Sequence, residues 1–236
     1  MEKKKNVILF VHGFMGSKRQ FYGLRDVLSG CGADMLIHVL PGHEASLEEF
    51  LETDARIWQE SVSQAVKELA EEYEKVLLVG HSMGGLLSVN AAISEPEKVS
   101  GIVAIAFPIR VAPKPQWAIN NLKATRPAKE GEDPRVTAAR TMCGITIENP
   151  AQYLSAAQRS LEFVKVMRDT QKSIDHLNTP LTVINFKKDE IVSRRAAGFV
   201  KAKLPGSRLT TLNESYHFLF GDNDIELIAD EIKSLL

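Results

Sequence analysis

Along the chain, short continuous apolar runs alternate with longer stretches in which apolar residues return every three or four positions. The runs are Val7 to Val11, Met35 to Leu40, Val76 to Val79, Ile102 to Phe107, Leu181 to Phe186 and Arg208 to Leu212. Most are continuous rather than alternating, which suits strands covered on both faces of a parallel sheet. Between them, Ser17 followed three residues later by Gln20 predicts a capping box that opens a helix to about Leu28. Trp58, Val62, Val66, Leu69 and Tyr73 form one apolar stripe on a second helix. Further helices are predicted after Ser82, from Ser193 to Lys203 and from Asp224 to Leu236. Strand and helix alternate, so the class is α/β, with an open, doubly wound sheet.

One segment breaks the alternation. From Pro108 to Asn178 no strand pair is evident, prolines recur, and "KATRPAKEGEDPR" at Lys123 to Arg135 is polar and turn-rich. A structureless loop of that length is improbable in a compact domain. Tyr153, Ala157, Leu161 and Val164 supply a helical face within it, and "PQWAINNL" at Pro115 to Leu122 supplies another. The prediction is a helical cap over residues 108–178, inserted into a core made of residues 1–107 and 179–236.

Composition narrows the partners rather than the chemistry. A formal net charge of -1 gives no electrostatic reason to expect nucleic acid or an anionic membrane. The apolar run after "MEKKKN" is broken at His12, shorter than the roughly 7 to 15 residues of a secretory signal, and no window is long enough for a membrane span, so the expected location is cytoplasmic. Cys31 and Cys143 are too few for a disulfide framework and lack zinc spacing, which leaves two reduced thiols and no metal.

The chemistry is concentrated in "KVLLVGHSMGGLLSVNAA", Lys75 to Ala92. Gly80, Ser82 and Gly84 form G-x-S-x-G after a strand and before a helix, the setting in which the motif marks a nucleophile elbow. It lacks the lysine and spacing of a phosphate-binding loop. A serine hydroxyl is a weak nucleophile and needs a base with an anion to orient it. His217, after the last predicted strand, is the expected base, because His12, His43 and His81 lie upstream and His176 falls near the end of the cap. Asp189, after the preceding strand, is the expected orienter, with adjacent Glu190 the rival carboxylate; Asp222 and Asp224 follow His217 and break the order. Two backbone amides should receive the oxyanion, those of Met83 after the serine and Phe14 after "HG" at His12 and Gly13. His12 and His43 are expected to pack beneath this oxyanion loop, and His81 to point away from the Ser82 hydroxyl.

"HGFMGS", "LPGHEAS", "GHSMGG", "KKDEIV" and "SYHFLF" resemble the oxyanion loop, early turn, elbow, acid turn and histidine loop of the α/β-hydrolase family. The resemblance covers nearly the whole chain and is strongest to the cytosolic carboxylesterase and monoacylglycerol lipase branch. It implies a capped serine esterase without cofactor; the charge across Lys123 to Arg135 argues against a greasy lid, so the expected substrate is a short- or medium-chain ester or a monoacylglycerol. Two departures are visible. The early turn reads Gly42, His43, Glu44 where relatives often have a second glycine, and the usual leading hairpin is missing, which implies a sheet of about six strands. Met142, Ile145 and Ile147, with Trp117 and the Tyr153 helix, are candidates to line an acyl pocket. The first two motifs also resemble menaquinone-pathway lyases, so carbon-carbon bond chemistry is the alternative, with Arg110, Arg126 or Arg140 facing a polyanionic substrate. A non-catalytic ligand-binding protein is the remaining possibility.

Overall fold

The computed structural model describes residues 3–145, 147 and 150–236, with the side chains of residues 150, 153, 154 and 157 excepted. Six strands, β1 (Lys4–Val11), β2 (Asp34–His38), β3 (Tyr73–His81), β4 (Val99–Ile105), β5 (Leu181–Phe186) and β6 (Arg208–Leu212), form one sheet in the order β2-β1-β3-β4-β5-β6. Every neighbouring pair is parallel. The strand order therefore reverses between β1 and β3, where the chain has gone outward to β2 and returned. A crevice opens at the carboxyl ends of strands at such a switch point, where α/β sheets hold their ligands.

The continuous apolar runs follow from two-sided burial. In β1, Val7, Leu9 and Val11 enter one hydrophobic layer, while Ile8 and Phe10 enter the other. The first layer is completed by α3 (Ala55–Glu72) through Trp58, Val62 and Val66, and by α4 (Met83–Ser94) through Met83, Leu86, Leu87 and Val89. The second is completed by Leu24 of α1 (Tyr22–Val27) and by Ile228 and Ile232 of α9 (Asp222–Lys233). The short α2 (Leu47–Leu51) precedes α3, and α8 (Arg195–Lys203) joins β5 to β6. Between β4 and β5 the chain runs through α5 (Pro115–Ala124), α6 (Pro134–Met142) and α7 (Pro150–Ser173). Val166 of α7 and Ile174 just beyond it reach into the first layer.

Two local readings give way to longer-range partners. Ser17 and Gln20 make no capping box: Lys18–Phe21 forms a 3-10 turn without a side-chain cap, and both polar side chains bond elsewhere. The box forms instead at Ser46 and Glu49, where each side chain accepts from the other's amide at the start of α2. Tyr73, which continues the spacing of the α3 stripe, turns extended and opens β3 opposite Lys4. Its phenol donates to Asp34 Oδ2 at 2.6 Å, across two strands.

Candidate active site

The switch-point crevice is built from the residues that end β1 and β3. Val11 pairs with Gly80, so the loop after β1 and the turn after β3 leave the sheet side by side. Ser82 sits at φ 52° and ψ −124°, a strained setting for an L-residue that costs about 1 to 3 kcal/mol. Close packing enforces it: a Cβ on Gly84 would strike the Val11 carbonyl oxygen, and one on Gly80 would strike the backbone of Gly84 and Gly85. The turn raises the Ser82 hydroxyl to 3.1 Å from His217 Nε2.

His217 Nδ1 lies 3.0 Å from Asp189 Oδ2 and 3.1 Å from Oδ1. Asp189 Oδ1 also accepts from the amides of Ile191 at 2.7 Å and Val192 at 2.8 Å, which pins the carboxylate. Burial works to raise its pKa, but His217 and those amides outweigh it, so Asp189 is held below the usual carboxylate range. Glu190 faces elsewhere: its Oε2 accepts from the His217 backbone amide at 3.1 Å. The histidine loop is braced again by Asp224, whose Oδ2 accepts from the amides of Glu214 and Ser215.

The loop after β1 is held by two buried histidines. His43 Nε2 accepts from the Met15 amide at 3.1 Å, which places its proton on Nδ1, facing the Pro41 carbonyl. His12 Nε2 accepts from the Leu40 amide at 3.0 Å, and its Nδ1 faces the Gly13 carbonyl. Burial lowers the pKa of His12 to about 4 and of His43 to about 3, so both rings are neutral at pH 7. The Gly13 amide is taken by Gln20 and the Met15 amide by His43, while no hydrogen bond engages the Phe14 amide between them among the described residues. Met83 opens α4, so its amide is one of the helix's free amino-terminal donors, in a field that favours negative charge. Glu44 takes φ 55°, the left-handed region that favours glycine, at the position where the resemblance leads one to expect one. Its carboxylate holds the Lys18 amide at 2.7 Å.

Ser82 and His217 stand in the wall of an apolar cavity of about 540 Å³, together with Phe14, Met15, Trp117, Met142, Phe163 and Val164. Of the residues proposed from sequence to line a pocket, Trp117 and Met142 do so. Ile145 is buried in the first core layer and bridged to Ala45, and Ile147 packs against that layer. The Tyr153 side chain lies outside the described residues. Met15, Phe163 and Phe218, which also line the cavity, carry no signal in the sequence, because a cavity wall assembled from separate loops and helices has no single spacing. Gln20, Glu190 and Asp224 escaped for a related reason: each serves a backbone amide, and amides leave no mark in a sequence. Among the described residues no group of three His, Cys, Asp or Glu side chains is placed to hold a metal ion, and no helix is long and apolar enough to cross a membrane.

The profile of the serine aminopeptidase S33 family, Hydrolase_4, matches residues 2–224. A thermostable monoacylglycerol lipase of Bacillus sp. (strain H-257) is 24% identical over 230 residues, covering 94% of this chain and 87% of that protein. A carboxylesterase of Bacillus subtilis is 22% identical over 232 residues, covering 97% and 91%. Among solved structures, a soluble variant of the Saccharomyces cerevisiae monoglyceride lipase, in complex with a substrate analog, superposes with a TM-score of 0.73 at 18% identity, over 98% of this chain and 85% of that one. The six-stranded parallel sheet with its flanking helices is thus the α/β-hydrolase fold.

Proposed function

The chain belongs to the Hydrolase_4 family, serine aminopeptidase S33, and from that premise we propose that it is a serine hydrolase cleaving short- or medium-chain carboxylic esters or monoacylglycerols. The observation that carries the reading is the line from Ser82 Oγ through His217 to Asp189, with both hydrogen-bond distances near 3 Å, opening on an apolar cavity. In the proposed reaction Ser82 Oγ attacks the acyl carbon and its proton passes to His217 Nε2. The oxyanion is received by the Phe14 and Met83 amides. The alcohol departs with the proton from His217, and a water that gives its own proton to the same nitrogen then attacks the acyl-enzyme, releasing the acid and restoring Ser82. Helices α5, α6 and α7 act as the cap, whose apolar inner wall takes the acyl chain.

The two Bacillus relatives, a monoacylglycerol lipase and a carboxylesterase, point the same way. The carbon-carbon alternative calls for cations facing the substrate, and the cavity wall has no such groups among the described residues. Arg140 is paired with Glu132 at 2.6 Å, Arg110 lies over the Phe199 ring, and Arg126 is exposed. The deciding experiment is a p-nitrophenyl ester series from about two to sixteen carbons on wild type and Ser82→Ala. Cleavage is expected at short and medium lengths, with turnover about 10⁶ lower in the variant. No cleavage at any length overturns the reading.

A further inference from the structure

Gln20 is left unexplained by its own helix. It is 6% exposed, it caps nothing, and its side chain turns into the site. Its Oε1 accepts from the Gly13 amide at 3.0 Å and lies 3.0 Å from His81 Nδ1. The other nitrogen of that ring, Nε2, lies 2.9 Å from the backbone carbonyl oxygen of His217. One buried polar chain therefore runs from the main chain of the oxyanion loop, through Gln20 and the residue before Ser82, to the main chain of the histidine loop.

The orientation of this chain is fixed by its donors and acceptors. Reversing the Gln20 amide would set its NH₂ group against the Gly13 N–H. Both His81 nitrogens then face oxygen acceptors, and a neutral imidazole has only one N–H to offer them. Burial, the largest influence on His81, lowers its pKa to about 3, so the ring is neutral at pH 7 and one of the two contacts goes without its proton. Gln20 Nε2 is also buried with no partner among the described residues. Stability alone does not favour a buried network short of partners. Geometry gives it a purpose: Gly13 immediately precedes the Phe14 amide, and the His217 carbonyl belongs to the residue whose ring faces Ser82.

We propose that Gln20 and His81 are positioning residues forming a bridge that keeps the Phe14 amide and the His217 ring in register, so that oxyanion donor and general base stay aimed at one reacting carbonyl. The inference rests on the ester-hydrolase reading. Donors of this kind act only where charge develops, and a misplacement of about 1 Å costs about 10² in rate. Breaking the bridge should therefore be felt in turnover and not in substrate binding.

The test compares two variants of the full chain, Gln20→Met, which keeps the length but no acceptor, and Gln20→Glu, which keeps the acceptor. Each is assayed on p-nitrophenyl butyrate and against a phenylboronic acid, whose adduct with Ser82 places an oxygen where the oxyanion forms. Gln20→Met is expected to lower kcat by about 10- to 100-fold and to weaken the boronic acid by a similar factor, with KM within about twofold. Gln20→Glu is expected to retain about tenfold more turnover than Gln20→Met. A folded Gln20→Met with wild-type kcat, a loss taken up by KM alone, or equal losses in the two variants overturns the bridge. Should Gln20→Met not fold, the same split is read on His81→Asn, from the other end. Wild-type protein that neither cleaves the ester nor binds the boronic acid removes the ester-hydrolase reading itself, a failure visible before any substitution is made.

Discussion

At the scale of single residues, strain and close packing cooperate. Ser82 is held at positive φ because Gly84 lets the start of α4 lie against the Val11 carbonyl. Gly84→Ala has no room without shifting β1 or α4, neither of which is a flexible side chain. We expect it to lose several degrees in thermal midpoint, roughly 1 to 3 kcal/mol for an overpacked site, and most of its activity; an unchanged melting curve would contradict the packing. Asp189→Asn is the complementary case. An amide oxygen can still accept from Ile191 and Val192, so the fold should hold while the ring of His217 loses its anion, and kcat should fall by about 10⁴. Equal turnover in this variant and wild type would reassign the orienting group. The meeting of Ser82, Asp189 and His217 was legible because each follows a strand and their order along the chain fits the fold. The job of Glu190, beside Asp189, was not, since its partner is the amide of a residue 27 positions away.

At the scale of elements, the segment from α5 to α7 is strapped to the site at two places. Ala112 and Lys114 donate to the carbonyls of Ile191 and Glu190 at 2.8 Å, and Ser193 donates back to Arg110 at 2.9 Å, so the chain leaving β4 is zipped to the turn after β5. After α6, Gly144 donates to the Met15 carbonyl at 2.8 Å and its own carbonyl accepts from Glu44, which docks that connection on the loop after β1. The inner face of α7 then supplies Phe163 and Val164 to the cavity. Val164→Phe should fill part of that space and move the preferred p-nitrophenyl ester to a shorter acyl chain; an unaltered chain-length profile would place the acyl group elsewhere. Sequence foresaw helices here but not their docking, which is made by backbone bonds. The capping box predicted at Ser17 shows the same limit. Ser17 and Ser46 start equivalent patterns, yet only Ser46 caps, because Gln20 is drawn to the Gly13 amide and Ser17 donates to the Met142 carbonyl. Tyr73 was assigned to the α3 stripe by its spacing, whereas the chain extends there to pair with β1.

At the scale of the molecule, three neutral histidines buried about the switch point make stability depend on pH. His12, His43 and His81 have pKa values lowered to about 4, 3 and 3 by burial, against about 6.5 in an unfolded chain. Below pH 6.5 the unfolded chain takes up protons that the folded one refuses, so stability is lost as pH falls through that window. Each ring contributes a slope of about 1.4 kcal/mol per pH unit, or roughly 2 kcal/mol by pH 5. Urea unfolding at pH 8, 6.5 and 5 should give similar free energies at the first two and a loss of several kcal/mol at the third; a flat series would mean that the rings are charged or solvated in the folded state. The sheet, its order of elements and the crevice were legible from apolar runs and turn motifs, because two-sided burial leaves a continuous pattern. His12 and His43 were expected beneath the loop after β1, where they lie buried, whereas the burial of His81 was not legible, since an isolated histidine reads the same in a core or on a surface. The most direct test of the central arrangement is reaction of the native chain with a fluorophosphonate, followed by peptide mass spectrometry. The account predicts one adduct, on Ser82, that His217→Ala all but abolishes; labelling of another residue, or labelling of Ser82 at an undiminished rate without His217, would contradict it.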